Sequence, residues 1–329
     1  MITLRENDKT IKIATLEEGR NRTSVFWHPT QTETLMNSVT DLGSFNDAYF
    51  RDRFELSDSQ ASEIFQGLAS DTVIEHNQAK FFKVKRHLKD NLLTTMNISD
   101  TNGEFHIDFE PNPREYTHHM LLAAGTASGK THFAVSMILR NLRGPKEKRR
   151  HFLVVSSEWN EDSTLTPIKH EKFAQYVTGV DVGEQAFQDS EWRTVEEFFK
   201  NEVKIRLNHM PRGGVALIDD AMDSCCPGLL RHLINRGLRV FRHKQISLMV
   251  IVHSIRSGTF SSQAHNSVRY LVLFPRSQKG KITQYLNSEG MPLKEARQTV
   301  HDFSQTGRTL IVRIHSPECL IGPKLIKIL

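Results

Sequence analysis

The chain has 329 residues, of which 38% are hydrophobic and 25% are charged, a composition ordinary for a globular protein. No apolar run is long enough to cross a bilayer, and the N-terminal MITLRENDKT lacks the apolar core of a signal peptide, so we expect no membrane segment and no secretion. Three cysteines, two of them adjacent, provide neither a disulfide framework nor zinc-ligand spacing. The net charge of +5 is compatible with a polyanionic partner.

Residues 1–104 have weak periodicity, and we treat them as an N-terminal appendage of unassigned role. Helices are predicted near 57–69 (SDSQASEIFQGLA) and at 80–93 (KFFKVKRHLKDNLL). The segment EFHIDFEPNP at 104–113 alternates like a strand and ends in proline-rich punctuation, which is typical of an entry into a new domain. We therefore place a second domain at 105–329.

The next segment, HHMLLAAGTASGKTHF at 118–133, matches the phosphate-binding loop in its relaxed form, with alanine at the first glycine position. Small residues let backbone N–H groups curl around a β-phosphate, and a helix that begins near Gly129 points its positive end at the anion. Lys130 would reach the β- and γ-phosphates, and the Thr131 hydroxyl is a ligand for Mg²⁺. ATP and Mg²⁺ are therefore the expected cofactors. The predicted ATP-binding residues are Ala124, Gly125, Thr126, Ala127, Ser128, Gly129, Lys130, Thr131 and His132.

Further along, HFLVVSS at 151–157 predicts a buried strand and the region around 192–207 a helix. The run GGVALIDDAMD at 213–223 then predicts a buried strand that ends in Asp219 and Asp220. In a doubly wound sheet this strand end opens onto the same edge as the phosphate loop. Asp219 would hold Mg²⁺ through water, and Asp220 would polarise the attacking water. The alternative is an acidic turn, with Asp223 as one more surface carboxylate.

A helix rich in arginine is predicted at 229–244, followed by the strand ISLMVIVHS at 246–254. At the end of this strand, His253 would touch the γ-phosphate and report its presence. The alternative is a core-edge histidine that is hydrogen-bonded to backbone. An arginine at a subunit boundary would reach a neighbour's γ-phosphate and neutralise transition-state charge. Arg242 is the first choice for that role. The other arginines considered are Arg256 and Arg269 as alternatives, and Arg231, Arg236 and Arg239, some of which must form a solvated helix face.

The last predicted strands are RYLVLFP at 269–275 and TLIVRIHS at 309–316, of which the second is the last clear strand of the chain. Strands that alternate with helices in this way favour an α/β fold, with a mostly parallel sheet flanked by helices on both faces. The sequence shows no internal repeat and no low-complexity segment.

In this order the elements resemble the FtsK–HerA class of ATP-driven DNA translocases. The closer likeness is to the genome-packaging ATPases of double-stranded DNA viruses, the poxvirus-like and virophage- or polinton-like group. An arginine–histidine pair precedes the sensor strand in that group, as Arg242 and His243 do here, and its arginine is the family's trans-acting finger. Two residues depart from the family pattern, because His253 stands where glutamine is usual and Asp220 where the wider class has glutamate. The segments that carry the likeness are AGTASGKT at 124–131, ALIDD at 216–220, FRHKQISLMVIVHS at 241–254 and NSVRYLVLF at 266–274.

The resemblance implies a RecA-like P-loop NTPase core that assembles as a homo-oligomeric ring of about five or six subunits. Such a ring would use ATP hydrolysis to pull double-stranded DNA into a preformed capsid, in a virion or in the interior of a host cell (cytoplasm or nucleus). A capsid or vertex protein would be a further partner. The duplex would be gripped through its phosphates, largely without regard to sequence. The candidate grips, each with a solvated charged face as its alternative, are Lys146, Lys148, Arg149 and Arg150, and Lys80, Lys83, Lys85 and Arg86.

Three other functions stay open at this point. A cellular FtsK–HerA-type DNA pump belongs to the same class, although a membrane-anchored pump is disfavoured by the expected absence of a membrane segment. A P-loop kinase for a small molecule would need an arginine-bearing lid, which the helix before 246–254 does not resemble. A nucleotide-dependent assembly switch without turnover is disfavoured by the paired Asp219 and Asp220. Stimulation of hydrolysis by DNA separates the motor from the last two.

Overall fold

A computed structural model describes residues 2–4, 6, 10–28, 51, 54–70, 74, 76–87, 95–98, 100–109, 117–255 and 267–329. The chain divides into two compact units, one formed by Met1–Ile107 with Ser316–Leu329 and the other by Asp108–His315. The boundary near residue 107 lies close to the sequence-based one at 104. Residues 316–329, however, fall in the first unit and not with the P-loop core.

The strands and helices are numbered here in chain order. The strands are β1 (Ile2–Thr3), β2 (Ile11–Glu18), β3 (Asn21–Trp27), β4 (Thr95–Asn97), β5 (Glu104–His106), β6 (Met120–Ala123), β7 (Phe152–Ser156), β8 (Val177–Asp181), β9 (Val215–Asp219), β10 (Ser247–Val252), β11 (Tyr270–Leu273), β12 (Leu310–Arg313), β13 (Cys319–Ile321) and β14 (Leu325–Ile328). The helices are α1 (Asp58–Ser70), α2 (Gln78–His87), α3 (Lys130–Arg143), α4 (Glu184–Gln188), α5 (Val195–Phe198), α6 (Ile205–Asn208), α7 (Pro227–Lys244), α8 (Pro275–Ser288) and α9 (Leu293–Thr306). A π-helical stretch, Phe199–Lys204, joins α5 to α6, and short 3₁₀ turns lie at Lys146–Lys148, Ser163–Ile168, Glu171–Phe173 and Ala221–Asp223.

The first unit contains two antiparallel groups of strands, in the orders β1-β3-β2-β5 and β4-β14-β13. Gly19, at φ +61°, supplies the positive φ that the tight turn between β2 and β3 requires. No helix in the described part of the chain is long and apolar enough to span a membrane.

The sheet of the second unit runs in the order β12-β11-β6-β10-β9-β7-β8, and its neighbouring strands are parallel except for the antiparallel pair β11 and β12. Every residue of β6, β7, β9, β10, β11 and β12 is buried, which is why these strands read as continuous apolar runs. Helices α3 and α7 pack on β10. The predicted α/β fold is confirmed, and β10 lies between the phosphate-loop strand β6 and the acidic strand β9, the RecA-like strand order.

The sequence located the long elements and missed the short ones. The strands predicted at 151–157, 213–223, 246–254, 269–275 and 309–316 correspond to β7, β9, β10, β11 and β12. The sequence marks 309–316 as the last clear strand, and the structure adds two shorter strands after it, β13 and β14, which are separated by Gly322, Pro323 and Lys324. Residues 88–93 of the helix predicted at 80–93, and 110–113 of the strand predicted at 104–113, lie outside the described residues.

The parallel strands give the second unit's sheet two chemically different edges. We call the edge where β6, β7, β9, β10 and β11 end the carboxyl edge, and the edge where they begin the amino edge. Loops that leave strand ends meet at the carboxyl edge, where open α/β sheets bind their ligands. The amino edge carries the ends of α3, α6 and α7.

Candidate nucleotide site

The phosphate loop leaves β6 at the carboxyl edge, between β10 and β11. The Ala124 N–H donates to the Val252 carbonyl at 3.1 Å, which ties the start of the loop to the end of β10. Ala127 at φ 57° and Gly129 at φ 95° then turn the chain through the left-handed region, and α3 begins at Lys130. A Cβ on Gly129 would meet no atom within 4 Å, so glycine is favoured there by the backbone angle and not by lack of space.

Lys130 lies inside this loop and is only 7% exposed. Its Nζ donates a hydrogen bond of 2.9 Å to the carbonyl oxygen of Gly125, so the ammonium bridges the two ends of the turn. Burial lowers the pKa of Lys130, and the negative charges of Asp220 and Asp219 oppose that shift. A phosphate group entering the loop would compete with the Gly125 carbonyl for this ammonium.

Thr131 and Asp219 connect the loop to the acidic strand. The Thr131 hydroxyl donates to Asp219 Oδ2 at 2.9 Å, and the Asp219 side chain is buried, with 2% exposure. The other oxygen, Oδ1, has no hydrogen-bond partner among the described residues. A hydroxyl beside a buried carboxylate oxygen that lacks a donor is an oxygen ligand set, so these two residues fit Mg²⁺.

Burial, and after it the charge of Asp220, raise the pKa of Asp219 to about 7. The hydrogen bond from Thr131 and the charge of Lys130 act in the opposite direction. A third carboxylate, Asp162, also raises this pKa. Asp162 accepts the Thr164 N–H at 2.7 Å at the start of the Ser163–Ile168 turn, which packs against α3. Its Asp-Ser-Thr sequence signals a helix cap, but nothing in the sequence places it near Asp219.

Asp220 and His253 face each other from adjacent strand ends. Asp220 Oδ1 lies 3.5 Å from His253 Nε2, and the two side chains are 32% and 49% exposed. Asp220 has a left-handed backbone, with φ 47°, which Asp and Asn tolerate better than other non-glycine residues. Asp223 joins the pair, since one ligand atom from each of the three residues lies within 4.8 Å of the others. His253 is therefore in the solvent-facing part of the site and is not a core histidine.

Two of the candidate arginines, Arg242 and Arg269, lie at the amino edge, away from this chain's own phosphate loop. Arg242 is exposed in the last turn of α7, at the amino edge, where its charge contributes to lowering the pKa of the buried His119 to about 4, although burial is the larger cause. Because the loop follows the other end of β6, Arg242 is not part of its own subunit's site. Arg269 is buried, with its guanidinium 5.9 Å from the centre of the Tyr270 ring. Arg231, Arg236 and Arg239 are exposed on α7, and Arg256 lies outside the described residues.

Some of the residues predicted to grip DNA are exposed and others are buried or paired. Lys146 and Lys148 are exposed at the amino edge, whereas Arg150 is buried and donates to the Gly213 carbonyl at 2.9 Å. Arg149 is half-buried, with its guanidinium 5.6 Å from the Tyr176 ring centre. In the first unit, Lys80 donates to the Glu55 carbonyl at 2.9 Å and to Gln60 Oε1 at 3.0 Å, and Lys83 is exposed. The side chains of Lys85 and Arg86 lie outside the description.

We expect Asp219→Asn to stabilise the nucleotide-free protein at pH 8 relative to the wild type and to abolish Mg²⁺-dependent nucleotide binding. The folded-state pKa of Asp219, about 7, lies above the usual value of 3.8, so this group favours the folded state most at low pH and loses that contribution as the pH rises through 7. Asparagine does not titrate. The difference in unfolding free energy between variant and wild type should therefore grow by on the order of 1–3 kcal/mol from pH 5 to pH 8. Thermal denaturation would show it as a difference in Tm that widens over the same range. A pH-independent difference would contradict the buried carboxylate assignment.

No protein-family model matches the sequence, and no curated protein matches it. Among solved structures, the chain is similar to the genome-packaging NTPase B204 of Sulfolobus turreted icosahedral virus 2 in complex with ATPγS, at 16% identity and a TM-score of 0.36 over 65% of this chain and 99% of that one. EssC (ATPases 2 and 3) from Geobacillus thermodenitrificans is similar at 11% identity and a TM-score of 0.42, over 70% of this chain and 43% of that one. The cytoplasmic domain of the Thermomonospora curvata Type VII secretion ATPase EccC is similar at 10% identity and a TM-score of 0.39, over 70% of this chain and 28% of that one. With TM-scores below 0.5, these likenesses carry no argument about function, which must come from this chain's own site.

Proposed function

We propose that the chain is an ATP-hydrolysing motor of the FtsK–HerA type that moves double-stranded DNA and packages a viral genome into a capsid. The observation that carries the ATPase half is the 2.9 Å hydrogen bond between Thr131 and the buried Asp219, beside the buried ammonium of Lys130. The motif order described above supports the choice of motor class. A homo-oligomeric ring, a capsid or vertex partner, and a place in the virion or host-cell interior belong to the same proposal.

In this mechanism the loop binds the triphosphate. Backbone N–H groups at the start of α3 face the anion, and Lys130 exchanges the Gly125 carbonyl for the β- and γ-phosphates. The Ser128 hydroxyl is buried without a hydrogen-bond partner in the described structure and is available to donate to a phosphate oxygen. Thr131 and Asp219 would hold Mg²⁺, which when bound would neutralise charge on the β- and γ-phosphate oxygens.

Hydrolysis needs a group that orients water, and we assign this role to Asp220. It stands one residue beyond the buried Asp219 and is partly exposed, so it can accept a proton from a water at the γ-phosphate. His253 lies against the same carboxylate and keeps Asp220 directed toward the end of β10. A histidine here can donate to the γ-phosphate as a glutamine would, and it can also carry a proton.

Support for a DNA partner comes from the amino edge, where three loops lie side by side. The Gly213 N–H donates to the Gln245 carbonyl at 2.8 Å, and Arg150 donates to the Gly213 carbonyl. These loops and the adjacent end of α3 carry four exposed cations, whereas the loops contain one acidic residue, Glu147. Phosphate backbones bind to such surfaces with little regard to sequence. We call this the basic surface, and it comprises Arg143, Lys146, Lys148 and Arg212.

The triple variant Lys146→Gln, Lys148→Gln, Arg212→Gln tests this assignment. We expect its DNA-free ATPase rate to match the wild type, since the three residues lie at the edge away from the phosphate loop. Its affinity for duplex DNA should fall at least about tenfold, and the slope of log affinity against log salt should become less steep by about 2–3. The control is Lys294→Gln with Arg297→Gln on the exposed face of α9, which removes two positive charges where the triple variant removes three. Equal losses in both variants would show that net charge, and not this surface, matters.

We expect Arg242→Ala to be inactive alone and to be partly rescued by mixing with Lys130→Ala subunits. Arg242 is exposed at the edge opposite its own phosphate loop, so in a head-to-tail ring it would serve a neighbour's γ-phosphate. A mixed ring contains some sites with an intact loop from one subunit and an intact arginine from the next. Absence of any recovery across mixing ratios would count against Arg242 as the finger.

A further inference from the structure

Gln278 lies beside the phosphate loop, on an element that the sequence did not connect with it. Strand β11 is the parallel neighbour of β6, and α8 begins directly after it at the carboxyl edge. Within the first turn of α8, Gln278 has a non-helical backbone with φ −139° and ψ 40°, which interrupts the helix. Its N–H and that of Ser277 both donate to the Phe274 carbonyl, at 3.3 and 3.0 Å.

The Gln278 amide lies beside the loop residue that holds Lys130. Its Nε2 lies 3.6 Å from the point where a Cβ on Gly125 would stand, so the amide is separated from Gly125 by about the space that one methyl group would fill. The carbonyl of Gly125 is the acceptor of the 2.9 Å hydrogen bond from Lys130. The lysine and the glutamine therefore approach the same residue, the lysine through a hydrogen bond to its carbonyl and the glutamine from the side on which a Cβ would stand.

The other end of this amide lacks a partner. Gln278 Oε1 is buried, and within the described residues it accepts no hydrogen bond. A buried polar atom without a partner destabilises the folded protein, so such atoms are uncommon and often mark a site that changes its contacts in use. The orphaned oxygen, the helix interruption and the position beside Gly125 are three separate features of one residue.

We propose that Gln278 is a positioning residue of the phosphate loop, whose amide takes over the Gly125 carbonyl when a triphosphate draws Lys130 away. In the ligand-free protein that carbonyl is occupied by Lys130. Binding of the β- and γ-phosphates removes this donor, and the Gln278 amide, which already lies beside Gly125, supplies an N–H in its place. The exchange lowers the cost of releasing Lys130 and couples the start of α8 to occupancy of the site. This proposal rests only on the nucleotide-binding half of the function given above.

The test is the affinity of Gln278→Met for ATPγS, measured by calorimetry with Mg²⁺ and without DNA. Methionine keeps the length and most of the volume but removes both hydrogen-bonding groups. We expect affinity to fall roughly five- to twentyfold, with kcat at saturating ATP nearly unchanged and the ligand-free Tm not lowered. Gln278→Glu should bind more weakly still, because its charge faces the phosphates. The matched control is Gln284→Met, an exposed glutamine on the same helix.

The outcomes separate the inference from the proposed function. Wild-type affinity in Gln278→Met would overturn the inference, as would a loss of affinity accompanied by a lower ligand-free Tm, since that indicates a merely structural glutamine. Failure of the wild-type protein itself to bind ATPγS would overturn the nucleotide site as a whole. Binding that depends on Gln278, in a protein whose turnover ignores DNA, would support the inference and contradict only the DNA motor.

Discussion

Lys130→Ala is expected to abolish ATP turnover, with a loss of at least about a hundredfold and nucleotide binding too weak to measure at micromolar concentrations. The ammonium is buried at the mouth of the loop and is held there by one carbonyl, so it is already in place to meet the phosphates. Because burial already lowers the pKa of Lys130, removing this charge relieves a desolvation cost. The ligand-free variant should therefore remain folded.

The comparison needs a lysine removed elsewhere and a check of folding. Lys294→Ala, on the exposed face of α9, should leave both turnover and nucleotide affinity at wild-type values. Circular dichroism and Tm of Lys130→Ala should stay close to those of the wild type. Normal ATPase rates in Lys130→Ala would remove the active-site assignment altogether, whatever the DNA results.

Asp220→Asn should retain ATP binding and lose hydrolysis by about a hundred- to a ten-thousandfold. Asparagine is the right replacement because it keeps the shape of the side chain and tolerates the left-handed backbone at φ 47°, where alanine would add strain. It removes only the ability to accept a proton from water. Single-turnover measurements with saturating ATP separate this chemical step from binding.

Asp223→Asn is the matched control for that variant. Asp223 lies within 4.8 Å of the same cluster but is exposed, and it has no role in the proposed chemistry. Its hydrolysis rate should stay within about threefold of the wild type. Unchanged turnover in Asp220→Asn would show that another residue positions the water, and equal losses in both variants would indicate a general effect of charge near the site.

The sequence predicted those parts of the site that are formed by contiguous residues. The loop that ends in Gly129, Lys130 and Thr131 has a fixed spacing, and the buried run before Asp219 has the length of a strand. The rule that parallel strands open onto one edge then brings the two halves together. That step needed no knowledge of which strand lies between them.

The parts that the sequence missed depend on contacts between distant segments. Asp162 reaches the site from the loop after β7 and Gln278 from the first turn of α8, and neither local pattern indicates a neighbour. Strands β13 and β14 are too short for periodicity to separate them from loops. The position of Arg242 was within reach of sequence reasoning, since a helix that precedes a parallel strand must end at the amino edge.

The most direct test of the central claim is the rate of ATP hydrolysis by the purified protein with and without long double-stranded DNA, with Lys130→Ala measured in parallel. The account predicts a rate that rises several-fold with DNA, declines as salt is added, and disappears in the variant. Hydrolysis that depends on Lys130 but is indifferent to DNA at every salt concentration would contradict the motor and favour a kinase or an assembly switch.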